Sequence, residues 1–215
     1  MKTLIVTATD TGVGKTVVSA MLTLALDGVY WKPIQAGTAE GTDRQRVAAM
    51  TGLPEERFRP ERYVLREPLS PHRAAELDGV EVGADDLDLP DDIPSGRRLI
   101  VEGAGGVLVP INRQMLQAEL FASWRAPAVL CARTSLGTIN HTLLSLEALR
   151  RRGVNVFGIV FVGAPMPDSE RTIVEFSGAK SLGRLPILKR LDASALQTAF
   201  AESFDRRDFE AAHER

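Results

Sequence analysis

Only one cysteine, Cys131, occurs in the chain, so no internal disulfide can form and a four-cysteine zinc site is excluded. Long hydrophobic runs are missing as well. The longest nearly apolar stretches, Pro127–Ala132 and Val154–Val162, reach roughly half of the ~20 residues that a spanning helix requires. Nor does charge of one sign prevail: 26 Lys and Arg against 28 Asp and Glu leave a formal charge of −2, too little field to draw nucleic acid or an anionic membrane. Met1–Ala8 runs directly into Thr9-Asp10-Thr11-Gly12 without a cleavage-site pattern. The expectation is a soluble, cytoplasmic protein with neither nucleic acid nor membrane among its partners. Hydrophobic residues at 44% and charged residues at 25% lie near the globular average, which argues against disorder. There is no internal repeat, and 215 residues suffice for one domain and are thin for two, so residues 1–215 are read as a single domain.

What is present is a series of short, continuous apolar segments rich in Val, Ile and Leu. Thr3–Ala8, Arg98–Val101, Ala128–Ala132 and Val154–Val162 read as strands buried on both faces, as in a parallel sheet. Between them, Lys15–Leu26 carries Val18, Met21, Leu22 and Ala25 at helical spacing, and Asn140–Arg151 does the same with Leu143, Leu144, Leu146 and Leu149. Arg150, Arg151 and Arg152 close the second helix, with Gly153 suited to follow it. Strand and helix in alternation predict an α/β fold, a mostly parallel sheet with helices on both faces. Glu81–Asp92 holds six acids and no base and reads as a solvated loop, with a metal site as the alternative. The segment from Asp192 to Arg215, strongly charged after Phe200, reads as a terminal helix fraying into solvent.

The most informative stretch is Ala8-Thr9-Asp10-Thr11-Gly12-Val13-Gly14-Lys15-Thr16, between a strand and a helix. Gly12 and Gly14 let the backbone curl so that successive N–H groups face a phosphate chain, and the helix adds its positive end. Lys15 can reach the β- and γ-phosphates, and the Thr16 hydroxyl can ligate Mg²⁺. The full G-x₄-G-K-[ST] pattern would place Gly at position 9, where Thr9 stands.

Three further groupings follow. In Trp31-Lys32-Pro33-Ile34-Gln35-Ala36-Gly37, Lys32 ends a short strand and can project over the C-terminal edge of the sheet, where ligands bind in open α/β folds; an ordinary surface lysine is the alternative. In Val101-Glu102-Gly103-Ala104-Gly105-Gly106, a strand delivers a carboxylate opposite Thr16, followed by glycines that allow close backbone approach; the alternative is a tight turn with a solvated acid. In Thr134–His141, a glycine loop precedes a helix, which makes either a second anion site or a helix start capped by Thr138 or Asn140.

Together these residues resemble the dethiobiotin synthetase family over nearly the whole chain. The resemblance rests on Thr9–Thr16, Lys32-Pro33, an acid in the following loop (Asp43), Ser70-Pro71-His72, Glu102–Gly106 and Gly137-Thr138-Ile139-Asn140-His141, in order and at matching separations. It implies a P-loop NTPase-type fold and an ATP- (or other NTP-) and Mg²⁺-dependent ligase of biotin biosynthesis. Such an enzyme carboxylates 7,8-diaminopelargonate with CO₂ and closes the ring to dethiobiotin through a carbamate and a carbamic-phosphoric anhydride. By resemblance, Lys32, Lys15 and Thr11 are catalytic, and Thr16, Asp43 and Glu102 hold the metal. Gly12, Val13, Gly14, Lys15, Thr16, Val17, Asp43, Glu102, Gly103, Ala104, Gly105, Val162, Gly163, Leu185, Pro186 and Ile187 bind the nucleotide. Thr11, Lys32, Ala36, Thr138, Ile139 and Asn140 bind substrate, the last three across the interface of a homodimer.

The chain departs from the family pattern at identifiable positions. Ala8 replaces a frequent Gly, Gly12 a frequent Glu, and Ala36 a Ser or Thr whose hydroxyl contact to the substrate is left to Thr38 or Gln35 to replace. Val162-Gly163 stands where members that prefer ATP carry Asn-Asp, so loose base discrimination or a preference for CTP or another triphosphate is expected, with Leu185–Ile187 against the base. Two other classes compete. A nucleotide-dependent switch or partitioning ATPase typically has a second lysine early in the phosphate loop, and positions 8–14 hold none. A cobyrinate-type amidase needs a glutaminase domain with a nucleophilic cysteine, for which the chain has no room.

Overall fold

A computed structural model describes residues 2–210. In chain order the elements are β1 (Thr3–Ala8), α1 (Lys15–Ala25), β2 (Val29–Trp31), β3 (Ile34–Ala36), α2 (Asp43–Thr51), β4 (Phe58–Arg59), β5 (Tyr63–Leu65), α3 (Pro71–Asp78), β6 (Leu99–Glu102), α4 (Gln117–Trp124), β7 (Ala128–Arg133), α5 (Thr138–Arg151), β8 (Val156–Val162), α6 (Pro167–Ser177), β9 (Ser181–Leu185), α7 (Ala193–Ser203) and α8 (Arg206–Glu210). Seven strands form one sheet in the order β4-β2-β6-β1-β7-β8-β9, every pairing parallel, while β3 and β5 pair separately.

Parallel strands need crossover connections, which here place helices on both sheet faces. Alternation along the strands shows the two layers. Leu4, Val6, Ala8, Val129 and Cys131 pack with Val18, Met21 and Leu22 of α1, Val47 of α2 and Leu196 and Phe200 of α7. Ile5, Leu130 and Ala132 face the opposite way, against Phe121 of α4, Leu146 and Leu149 of α5 and Ile173 of α6. Both faces of the central strands are thus dry, which is why their sequences are continuously apolar.

Boundaries shift by a residue or two from expectation, with β8 starting at Val156 and α5 at Thr138. Larger differences lie elsewhere. Asp43 sits in the first turn of α2, not in a loop; Thr42 caps that helix in a reciprocal capping box with Gln45. The acidic segment has a single 3₁₀ turn, Asp85–Leu87, whose Leu87 is fully buried with Val82 near Leu65 and Ile111. The C-terminal segment does not fray within the described residues. Phe209 of α8 is fully buried, its ring 5.9 Å from Phe157 and 5.8 Å from Phe200, and Arg98 Nη1 donates to its carbonyl at 2.6 Å. An apolar residue every few positions, Phe200, Phe204 and Phe209, outweighs the intervening charges; residues 211–215 of that expectation lie outside the described part. No helix among the described residues is long and apolar enough to cross a membrane.

Candidate active site

The C-terminal ends of β1, β2, β6 and β7 converge on the loop between β1 and α1. Its curl needs glycine at two points, with Gly12 at φ +71° and Gly14 at φ +108°. The loop is tied to β7 by Thr9 N–H donating to the Cys131 carbonyl at 3.0 Å, and by Arg133 Nη2 donating to the Thr11 carbonyl at 3.0 Å. Lys15 opens α1 and folds back, its Nζ donating to the Asp10 carbonyl at 3.2 Å. Burial lowers the Lys15 pKa, against the opposing pull of Glu102.

Glu102, at the tip of β6, is 1% exposed. Thr16 Oγ1 donates to its Oε1 at 2.8 Å and the Tyr30 hydroxyl donates to its Oε2 at 2.9 Å. Burial, and then the Glu102 charge, push the Tyr30 pKa well above its ordinary value. Lys32 is buried beyond the end of β2, ion-paired and hydrogen-bonded to Asp43 Oδ2, with Glu102 Oε1 3.8 Å from its Nζ. Asp43 is aimed from the N-terminus of α2, where its N–H donates to Gln35 Oε1 at 3.0 Å and Arg46 Nη1 lies 3.3 Å from Oδ1. Lys15, Thr16, Lys32, Asp43, Arg46 and Glu102 line a cleft of about 950 Å³ together with Thr11, Gly12, Gly14, Val17, Ala36, Ala104 and Gly105.

The structure therefore brings together Lys15, Thr16, Lys32, Asp43 and Glu102, which lie far apart in sequence. Two carboxylates and a hydroxyl supply hard oxygen donors, a set that suits Mg²⁺ completed by water and phosphate oxygens. Among the described residues there is no cluster of three or more His, Cys, Asp or Glu, so an all-protein metal cage of that kind is not formed there.

Other expected site residues stand differently. Val13 is buried in the core beneath the loop. Gly103 is packed closely against α4, since a Cβ there would lie 2.3 Å from Gln117 Nε2 and 2.7 Å from Phe121 Cζ. Gln35 Oε1 accepts from the Asp43 N–H, and its Nε2 donates to the Gly37 carbonyl at 2.9 Å and the Ala36 carbonyl at 3.2 Å, so both amide hydrogens are committed within its own loop. Neither Thr138 nor Asn140 caps α5: Gly137 is the N-cap at φ +91°, without a side-chain bond, and the Thr138 hydroxyl lies 3.3 Å from that of Thr142. Thr138, Ile139 and Asn140 do not line the cleft of their own chain. Val162 abuts the phosphate loop, with its Cγ1 3.1 Å from where a Gly14 Cβ would stand, and Gly163 N–H donates to the Leu185 carbonyl at 3.0 Å. The Leu185 side chain is 1% exposed and belongs to the core, which corrects its expected packing on a base; Ile187 is 78% exposed and Pro186 half-buried.

Sequence reasoning missed Tyr30 and Arg133, and it named Gln35 only as a stand-in for a substrate contact, not as the residue that accepts from the Asp43 N–H. Tyr30 had a signal, because it is two residues from Lys32 and extended chain puts i and i+2 on one face.

A family model described as an AAA domain matches residues 2–195. The chain is 54% identical to the ATP-dependent dethiobiotin synthetase BioD of Rhodopseudomonas palustris strain TIE-1, over 96% of each chain. It is also 54% identical to the protein of that name in Novosphingobium aromaticivorans, over 97% of this chain and 100% of the relative. Among solved structures, the Pyrococcus furiosus cell division ATPase MinD aligns at TM-score 0.52 and 12% identity, covering 99% of this chain and 100% of that one. A ParA family ATPase from Chlorobium tepidum aligns at TM-score 0.51 and 11% identity, over 100% and 94%. Those two establish the P-loop fold alone.

Proposed function

Because the chain belongs to the dethiobiotin synthetase family, we propose that it uses ATP or another nucleoside triphosphate to carboxylate 7,8-diaminopelargonate and close it to dethiobiotin. One amine takes up CO₂ as a carbamate, and a carbamate oxygen attacks the γ-phosphorus, expelling the nucleoside diphosphate. The second amine then attacks the carbonyl carbon of the mixed anhydride, forming the second C–N bond and releasing phosphate. The observation that carries this reading is the convergence of Lys15, Lys32, Thr16, Asp43 and Glu102 on one cleft of about 950 Å³.

Negative charge gathers at the reacting phosphoryl group and carbamate, so fixed cations and N–H donors lower the barrier most. Lys15 leaves the Asp10 carbonyl to meet the β- and γ-phosphates, over the backbone N–H groups of the loop from Gly12 to Thr16. Lys32 faces the same space and neutralises the carbamate, and Thr11 orients it. Thr16, Asp43 and Glu102 would hold Mg²⁺, which when bound would supply charge neutralisation for the phosphates. Thr138, Ile139 and Asn140, which do not line their own chain's cleft, serve the substrate carboxylate of a partner in a homodimer. The enzyme is cytoplasmic in this reading. Val162 and Gly163 carry no polar side chain for a base edge, so discrimination among bases is loose.

Phosphate release with Mg²⁺ and bicarbonate, measured with each of four nucleoside triphosphates with and without the diamine and with product mass read alongside, tests the reading. Diamine-dependent release is expected, with a product in which one carbonyl has replaced two amine hydrogens of the diamine. Release indifferent to the diamine would move the assignment to a nucleotide-dependent switch, and a strong preference for ATP would refute loose base discrimination.

A further inference from the structure

Glu102 is a buried carboxylate whose two oxygens have different partners. Oε1 faces the cleft, where Thr16 Oγ1 donates at 2.8 Å and Lys32 Nζ stands at 3.8 Å. Oε2 faces the core, where the Tyr30 hydroxyl donates at 2.9 Å from a fully buried side chain. Tyr30 lies on β2 opposite Ile100 of β6, two residues before Glu102, and its ring packs among Leu4, Val6 and Ile100. The strand pairing and the core packing therefore hold the hydroxyl where it is, and the hydroxyl holds the carboxylate.

We propose that Tyr30 is a positioning residue for the cation site: by engaging Oε2 it fixes the rotation of the Glu102 carboxylate and presents Oε1 alone to Thr16 and the cleft. The inference rests on the reading that Glu102 and Thr16 serve a nucleotide-bound Mg²⁺. Without the hydroxyl, Oε2 loses its donor and the broad terminal torsion of the carboxylate is released, so its plane swings through orientations in which neither oxygen meets Thr16 and that bond is intermittently lost. Partners that orient a ligand in this way typically change metal affinity by about 10–100-fold when removed.

Tyr30→Phe deletes the hydroxyl and keeps the ring. Calorimetric titration of the full chain with ATP, with Mg²⁺ and with EDTA, separates the two effects. The expected result is metal-free ATP affinity within about twofold of the unaltered protein, with the tightening produced by Mg²⁺ reduced about tenfold. In a Glu102→Gln background, Tyr30→Phe should produce no further loss, since its action passes through that carboxylate. Leu196→Val, in the same core cluster and outside the cleft, serves as the control for core damage and should leave the Mg²⁺ effect unchanged. Undiminished Mg²⁺ tightening in Tyr30→Phe would overturn the proposal alone. An equal loss with and without metal, or a loss that persists in the Glu102→Gln background, would overturn it in favour of a packing role. Absence of Mg²⁺ tightening in the unaltered protein would overturn the metal reading and this proposal with it.

Discussion

Replacing Lys32 by Met keeps most of the length of the side chain and removes its charge from between two carboxylates. The side chains of Lys32, Asp43 and Glu102 are 9%, 12% and 1% exposed, so solvent can take over little of the lost neutralisation. Removing one partner of a buried ion pair costs about 3–5 kcal/mol. The lower end applies here, because Arg46 still lies 3.3 Å from Asp43 Oδ1 and Glu102 keeps its hydroxyl bonds from Thr16 and Tyr30. A loss of about 3 kcal/mol in a chain of this size lowers the melting temperature by about 6–12 °C. Mg²⁺ at saturating concentration should then raise the melting temperature of Lys32→Met more than that of the unaltered protein, since in the latter a dication must displace an ammonium already paired with Asp43. Diamine-dependent product formation should fall about 10²–10³-fold through loss of transition-state charge stabilisation. Differential scanning calorimetry with and without Mg²⁺ measures the first two effects. A melting temperature within about 2 °C of the unaltered protein, and no larger response to Mg²⁺, would refute the argument that Lys32 neutralises this pair of acids.

Cys131 is fully buried, and burial pushes its thiol up to about 12, so a thiol reagent at pH 8 should label it only as fast as the chain unfolds; rapid labelling of native protein would contradict that. Phe209→Ala should cost about 3 kcal/mol in urea unfolding, because the ring fills a site between Phe157 and Phe200, whereas a frayed terminus would lose almost nothing. Glu76, hydrogen-bonded by Arg113 and Arg73, has its pKa lowered from 4.5 to about 2. Its folded pKa is the depressed one, so its stabilisation is complete above pH 4.5 and lost as pH falls toward 2. The urea midpoints of Glu76→Gln and the unaltered protein should therefore converge over that window, and a gap independent of pH would count against the linkage.

The architecture was legible because a parallel sheet covered on both faces leaves a local trace. The apolar blocks of β1, β6, β7 and β8 and the helical spacing in α1 and α5 follow from burial alone. The phosphate loop was legible for a related reason, since Gly12, Gly14, Lys15 and Thr16 are contiguous and their geometry is set by the backbone between β1 and α1. By contrast, β3, β5 and α3 are short or only faintly patterned, and they take their form from packing around Leu65, Ala74 and Ile111.

Which acid faces which cation was settled only by tertiary structure. Asp43 turns toward Lys32 because Gln35 and Thr42 orient the first turn of α2, and those contacts join a strand to a helix through an intervening loop. Tyr30 reaches Glu102 because β2 and β6, 72 positions apart at the contacting residues, pair side by side. The charged tail ends in a buried ring because the space between Phe157 and Phe200 exists only once β8 and α7 have packed. A single sequence records the periodicity that buries one face of an element and the glycines a turn demands. It does not record the partner of a side chain across the sheet, because that distance is set by strand order, and strand order is a property of the whole chain.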